Sequence, residues 1–243
     1  MKVRQLLLPL PEGDIRMYIL NATQVPATLS SLRTVLPATV QTLAMISASL
    51  ILAELLGTPL GIWLIMAGPK GIRQNNTVYG IISALVNIGR SIPFVILMVA
   101  IIPLTRLITG TSYGPVAAIV PLSVSAIPFV ARITESAMLT VEPGVIDACV
   151  SMGASWYQIV KYVLIPECLS SLISGAAITA VNLVGYSTMA GAMGGGGLGD
   201  LAVRYGYHRW QPLVMAASVA VLIVVVQGIQ LVGDRAARRY RWR

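Results

Sequence analysis

The sequence predicts an all-α integral membrane protein: five transmembrane helices and a helical loop between the third and fourth. Three observations carry this. Only 11% of the 243 residues are charged while 56% are hydrophobic, and a soluble domain is usually about a quarter charged. Five runs approach the roughly 20 apolar residues that a spanning helix needs. Between the third and fourth runs lies a segment too polar to span and too patterned to be slack.

The elements follow in order. Residues 1–33 read as an amphipathic or loose leader. Lys2 and Arg4 precede "LLLPLP", which is too short and too broken by proline for the apolar region of a secretory signal. The membrane domain covers 34–235, with spans near 36–66, 81–104, 114–131, 168–190 and 211–232. Residues 236–243 form a basic tail. Pro59, Pro93, Pro103, Pro121 and Pro128 fall in or near the spans. Neighbouring helices can satisfy the carbonyls that proline frees. The prolines fit either irregular helices that line something or the ordinary proline content of membrane helices.

Five spans place the termini on opposite sides. With the C-terminus in the cytoplasm, the inner side holds Lys70, Arg73, Arg132, Lys161 and the five arginines of the last nine residues. The outer side holds Lys2, Arg4, Arg16, Arg33, Arg106, Arg204 and Arg209, with Arg90 near an interface. The count is nearly balanced. The dense tail decides the orientation, because charges close to a span end weigh most. The net charge of +8 is thus accounted for by topology, and nucleic acid is not an expected partner.

The loop reads "RITESAMLTVEPGVIDACVSMGASWYQIVKYVLIP", with its helical part at about 140–166. Pro143 suits the first position of a helix. Val145, Ile146, Cys149 and Met152 then share a face. Gly153 suits the stop. Ser155 with Gln158 signals a capping box for a second helix, expected to end at Pro166. The apolar face of the first helix would be presented either to the lipid interface or to a cytoplasmic partner.

Here the residues reach a resemblance. "IDACVSMGASWYQIVKYVLIPE" resembles the EAA loop of ABC importer permeases: Glu-Ala-Ala, three residues, Gly, nine residues, then I-x-L-P. Asp147, Ala148, Cys149, Gly153, Val163, Ile165 and Pro166 fall at that spacing. Asp replaces Glu, Cys the second Ala, and Val and Ile replace Ile and Leu. "SALVNIGRSIPFVILMVAIIPLTRLITGTSYG", "AAIVPLSVSAIPFVAR", "LVGYSTMAGAMGGGGLG" and "YGY" extend the likeness to the permease subunit of methionine-uptake ABC transporters, over roughly residues 35–235. The resemblance implies the type I ABC importer permease fold in the inner membrane. It implies a homodimer on two cytoplasmic ATP-binding subunits, with a substrate-binding lipoprotein docking outside. It further implies that the loop docks in the ATPase, with Asp147, Ala148, Cys149, Gly153 and Pro166 as coupling residues.

No cofactor is expected in this chain. It lacks G-x-x-x-x-G-K-[ST], and its only lysines are Lys2, Lys70 and Lys161, so ATP would be bound by the partner subunit. Cys149 and Cys168 lack metal-ligand spacing. His208 is the only histidine, with no cysteine or acid pair nearby, a poor metal site.

Within the spans, Glu54 marks an intramembrane carboxylate, costly enough to suggest an interior-facing role or a hydrogen bond to a neighbour. The family does not assign it one. Arg90 reads as an arginine snorkelling to headgroups. In the resembling family the "GYSTM" segment faces the dimer axis. Tyr186 and Met189 are therefore expected to line and gate the path, with lipid or core packing as the competing account; methionine's adaptability suits a gate.

"GAMGGGGLGD" contains G-x-G-x-x-G at Gly194, Gly196 and Gly199. The dinucleotide reading fails on context. A membrane-length run precedes it, and no acid lies between Asp200 and Asp234. The run reads instead as a compact, flexible turn at the outer lip of the path. The expected function is a permease for methionine or a related amino acid, with the same machine for another small solute as the alternative. A membrane-embedded enzyme would need clustered acids or histidines on its spans, and a stand-alone carrier often shows internal repeats; neither is seen.

Overall fold

The computed structural model describes residues 25–69, 71 and 73–240, with side chains from 33 onward. Residues 1–24 of the expected leader, Lys70, and residues 241–243 of the tail lie outside the described residues. Among the described residues all regular structure is helical. In order the helices are α1 (Val25–Ala67), α2 (Asn76–Ser91), α3 (Phe94–Ala100), α4 (Ile102–Thr109) and α5 (Pro115–Met138). Then come α6 (Pro143–Ser151), α7 (Trp156–Ile159), α8 (Leu169–Ala190), α9 (Gly197–Leu201) and α10 (Pro212–Tyr240).

Among the described residues α1, α5, α8 and α10 are long and apolar enough to cross a membrane, and α2 with α3 makes a fifth candidate if the bent pair is one span. The first helix is continuous from Val25, so it takes in residues assigned to the leader. At about 1.5 Å per residue it is far longer than a bilayer core requires.

Where the sequence suggested one helix over 81–104, the structure bends by 102° between α2 and α3. The cause is local. Pro93 has no N–H to donate, and it drives Ile92 into extended backbone (φ −79°, ψ 122°). The third span runs on to Met138, so Arg132, expected in the loop, belongs to a helix.

The core is built on α5, which packs against α1, α2, α3, α4 and α8. The closest approach is to α1 and uses a G-x-x-x-G pair not singled out from the sequence. A Cβ on Gly57 would lie 2.8 Å from Ile127 O, and one on Gly61 would lie 2.5 Å from Ala131 O. Helices in lipid associate by such backbone proximity, since lipid tails are as apolar as leucine. Above this seam Met45, Ile46, Ala53, Leu122, Ala126, Val130, Leu183 and Ala190 form the main apolar cluster.

Candidate functional site

The segment 143–167 lies between spans α5 and α8. Its local signals form as the sequence suggests: Pro143 sits in the first turn of α6, and Gly153 takes φ +78°. Ser155 and Gln158 make a reciprocal capping box. The Ser155 N–H donates to Gln158 Oε1 at 2.7 Å, which satisfies a backbone donor the helix start would leave orphaned.

Two features differ from the sequence reading. The expected apolar face of α6 is split. Ile146 and Cys149 turn inward against Ala137, Met138, Ile159, Val160 and Leu164, whereas Val145 and Met152 are exposed. Asp147, Ala148 and Gly153 are exposed too, so the outward face is narrower and more polar than predicted. The second helix also does not end at Pro166. From α7 the chain widens into π-type turns over Val160–Leu164 and passes through one more α-turn, Ile165–Glu167. It then enters α8 after a break at Cys168 (φ −94°, ψ 9°). The Ile165 N–H reaches back five residues to Val160 O. Such π-bulges often mark functional sites. Pro166 is exposed just beyond.

The second half of the loop shows an aromatic surface that pattern reading missed. Trp156, Tyr157 and Tyr162 are all exposed. The Lys161 ammonium lies 5.7 Å from the Tyr157 ring centre and 5.2 Å from that of Tyr162, within cation–π range. The signal was present in "SWYQIVKY", but the buried Ile159 and Leu164 decide which side faces out.

Toward the far end of α8, Tyr186 stacks on Phe94, ring centres 4.8 Å apart and nearly parallel at 6°. It is half-buried against the main cluster, so packing accounts for one side of it. Phe94 comes from the bend and was not singled out from the sequence. Met189 is 47% exposed. Glu54 is half-buried and accepts a hydrogen bond from Thr58 Oγ1 at 3.0 Å, one turn along its own helix. Arg90 lies with its guanidinium 5.9 Å from the Phe129 ring centre. His208 is exposed, its ring 5.3 Å from that of Tyr207.

The glycine run is a turn packed into the chain. Gly194, Gly196 and Gly197 take φ of +91°, +80° and +76°, a region open mainly to glycine. Leu198 is fully buried. The Gly197 N–H donates to Gln41 Oε1 at 3.1 Å and the Leu198 N–H to Thr42 Oγ1 at 2.8 Å. Two side chains of α1 thus take the donors that open α9. No phosphate is needed there, which removes the last physical basis for a dinucleotide loop. The turn is compact, as expected, and α1 holds it through these two hydrogen bonds.

Comparison with known proteins agrees with this architecture. A profile of the binding-protein-dependent transport system inner membrane component family matches residues 57–239. The chain is 52% identical over 204 residues to a probable D-methionine transport system permease protein MetI of Vibrio cholerae, covering 84% of this chain and 91% of that one. It is 45% identical over 202 residues to a protein of the same description from Haemophilus influenzae, covering 83% and 95%. A solved structure described as inward-facing conformations of the MetNI methionine ABC transporter superposes with a TM-score of 0.84 at 44% identity, covering 90% of this chain and 99% of that one. An amino acid ABC transporter solved with histidines shares the fold alone, with a TM-score of 0.72 at 16% identity and coverage of 89% and 99%.

Proposed function

Since this chain belongs to the family of binding-protein-dependent transport inner membrane components, we propose that it is the permease subunit of an ATP-driven importer that moves methionine or a close analogue through the inner membrane. The observation that carries this reading is the segment 143–167. It is a capped, glycine-jointed helical pair outside the apolar spans, with Asp147, Ala148 and Gly153 exposed. A protein that worked alone would have no use for such a surface.

The arrangement follows from that. Two copies form the path, with α2 and α3 together counting as one of five spans in each. Residues 34–235 make the membrane domain, 140–166 the coupling loop, and 236–243 a basic tail in the cytoplasm. Two ATP-binding subunits sit below, hold the nucleotide and take the loop into a cleft, where Cys149 supports Asp147 and Ala148 from behind. Pro166 and the π-turns let the loop meet α8 at a changed angle. A substrate-binding lipoprotein delivers the solute from outside. The chain binds no cofactor and is not itself an enzyme.

Tyr186 and Met189 gate the path, Tyr186 held by its stack on Phe94 and Met189 free to re-pack. Met189→Ala is expected to raise solute leak or basal ATP hydrolysis, and no change in either ends the gate assignment. Glu54 serves the path only if Glu54→Gln lowers uptake in an assembled complex.

The decisive experiment is co-expression with a candidate ATP-binding subunit from the same organism, reconstitution in proteoliposomes, and measurement of labelled D- and L-methionine uptake with and without ATP and the binding protein. Uptake that needs both ATP and the binding protein supports the reading. An assembled, ATP-hydrolysing complex that ignores both isomers but moves another small solute reassigns the substrate, and failure to associate with an ATPase rejects the function.

A further inference from the structure

Arg132 was read from the sequence as an inner-loop charge, yet it sits on α5 three-quarters buried, its side chain 25% exposed. One terminal nitrogen, Nη1, donates to Glu135 Oε2 at 2.5 Å. That carboxylate is buried, with Glu135 only 3% exposed, and a buried carboxylate without a partner is severely destabilising. The other terminal nitrogen, Nη2, leaves the helix. It donates to Ser83 Oγ at 3.0 Å and to Asn87 Oδ1 at 2.7 Å. Ser83 and Asn87 are four residues apart on α2, so the guanidinium grips one face of it. A planar guanidinium is suited to this, because its donors leave in fixed directions.

The grip sits between the loop and the bent pair. Below it, α5 ends at Met138 and packs, with Val141, against Ile159, Val160 and Leu164 of the loop. Above it, α2 is fitted to α5 where a Cβ on Gly89 would lie 2.8 Å from Pro128 and where Arg90 covers Phe129. Past the 102° bend, Phe94 stacks on Tyr186. A continuous path of contacts therefore runs from the loop through α5 and Arg132 to the bend and Tyr186. Contiguity alone is weak evidence of coupling. What singles out Arg132 is that its two ends serve different masters: Nη1 neutralises a charge within α5, while Nη2 makes the polar tie to α2.

We propose that Arg132 is a positioning residue for transport: it makes the bent pair α2–α3 follow α5 when the ATPase displaces the loop. The proposal rests on the importer reading above. Its test uses the complete reconstituted transporter and reads labelled methionine taken up per ATP hydrolysed. The double variant Ser83→Ala with Asn87→Ala leaves the buried ion pair intact and removes only the tie. It is expected to assemble, to hydrolyse ATP at a rate near the parent's, and to lose about tenfold in uptake per ATP. Arg132→Lys keeps a charge for Glu135 and is expected to lose less than Arg132→Ala. Unchanged uptake per ATP in the double variant overturns the proposal. So does an equal fall in uptake and hydrolysis, the mark of a structural role. If the parent complex itself shows no ATP-driven methionine uptake, the methionine assignment above fails instead, and the two failures are thereby told apart.

Discussion

Two turns in this molecule depend on glycine for different sets of reasons. In the loop, Gly153 joins α6 to α7 at φ +78°, and a Cβ placed there would meet nothing within 4 Å. Only its backbone angle demands glycine. In the turn after α8, positive φ at Gly194, Gly196 and Gly197 is joined by a second constraint, space. A Cβ on Gly191 would lie 2.5 Å from Asp200 N and one on Gly197 2.5 Å from Thr42 Oγ1, while one on Gly199 would run into Thr188 O. The first turn hangs outside the spans with its surface open. The second is closed by its own chain. A glycine pattern therefore says little until its surroundings are known, and the two surroundings here suit a part that docks and a part that seals.

This contrast can be broken at several points. The largest effect is expected at Gly199→Val. The atom it strikes is backbone and cannot rotate away, so the cost should reach about 3 kcal/mol, the upper end for overpacking. Thermal unfolding of the detergent-solubilised protein measures it. Gly144→Ala is the control: it lies in α6 with no heavy atom within 4 Å of its Cβ, and its midpoint should hold or rise slightly. A fall at Gly144 equal to that at Gly199 would erase the distinction.

A smaller loss, about 1 kcal/mol, is expected for Gly153→Ala, because an L-residue is strained in the left-handed region. Gly153→Asn should recover part of it. If alanine and asparagine behave alike, backbone angle is not what holds that joint. The smallest effect on the isolated chain belongs to Asp147→Lys. Exposed substitutions of this kind stay within about 0.5 kcal/mol. In the assembled transporter, however, ATP-driven uptake should fall by more than tenfold while the unfolding midpoint stays put. Full uptake with lysine at 147 would remove Asp147 from the docking surface.

The sequence was most legible where the physics is local. Apolar runs of bilayer length declare spans because lipid satisfies no backbone hydrogen bond. Pro143, Gly153 and the Ser155–Gln158 box act within a few residues of themselves, and each appears in the structure as its local chemistry dictates. The break at Pro93 was visible as a proline, and the spacing of Asp147, Gly153 and Pro166 identified the family.

What only the tertiary structure decided are the outcomes that depend on a distant partner. Pro93 breaks the helix locally, but the size of the bend, 102°, is visible only in the folded chain, where Phe94 of α3 stacks on Tyr186. Ile146 and Cys149 turn inward because α5 and the second loop helix offer an apolar surface there. Arg132 leaves the loop count because its helix runs on to Met138, and its guanidinium finds acceptors on Ser83 and Asn87, 45 or more residues earlier. The glycine run was set apart from a cofactor loop by its sequence context, but only the folded chain shows that Gln41 and Thr42, about 156 residues away in sequence, accept from its Gly197 and Leu198 N–H groups. Periodicity reports which faces a helix has; only the packed chain reports what each face meets.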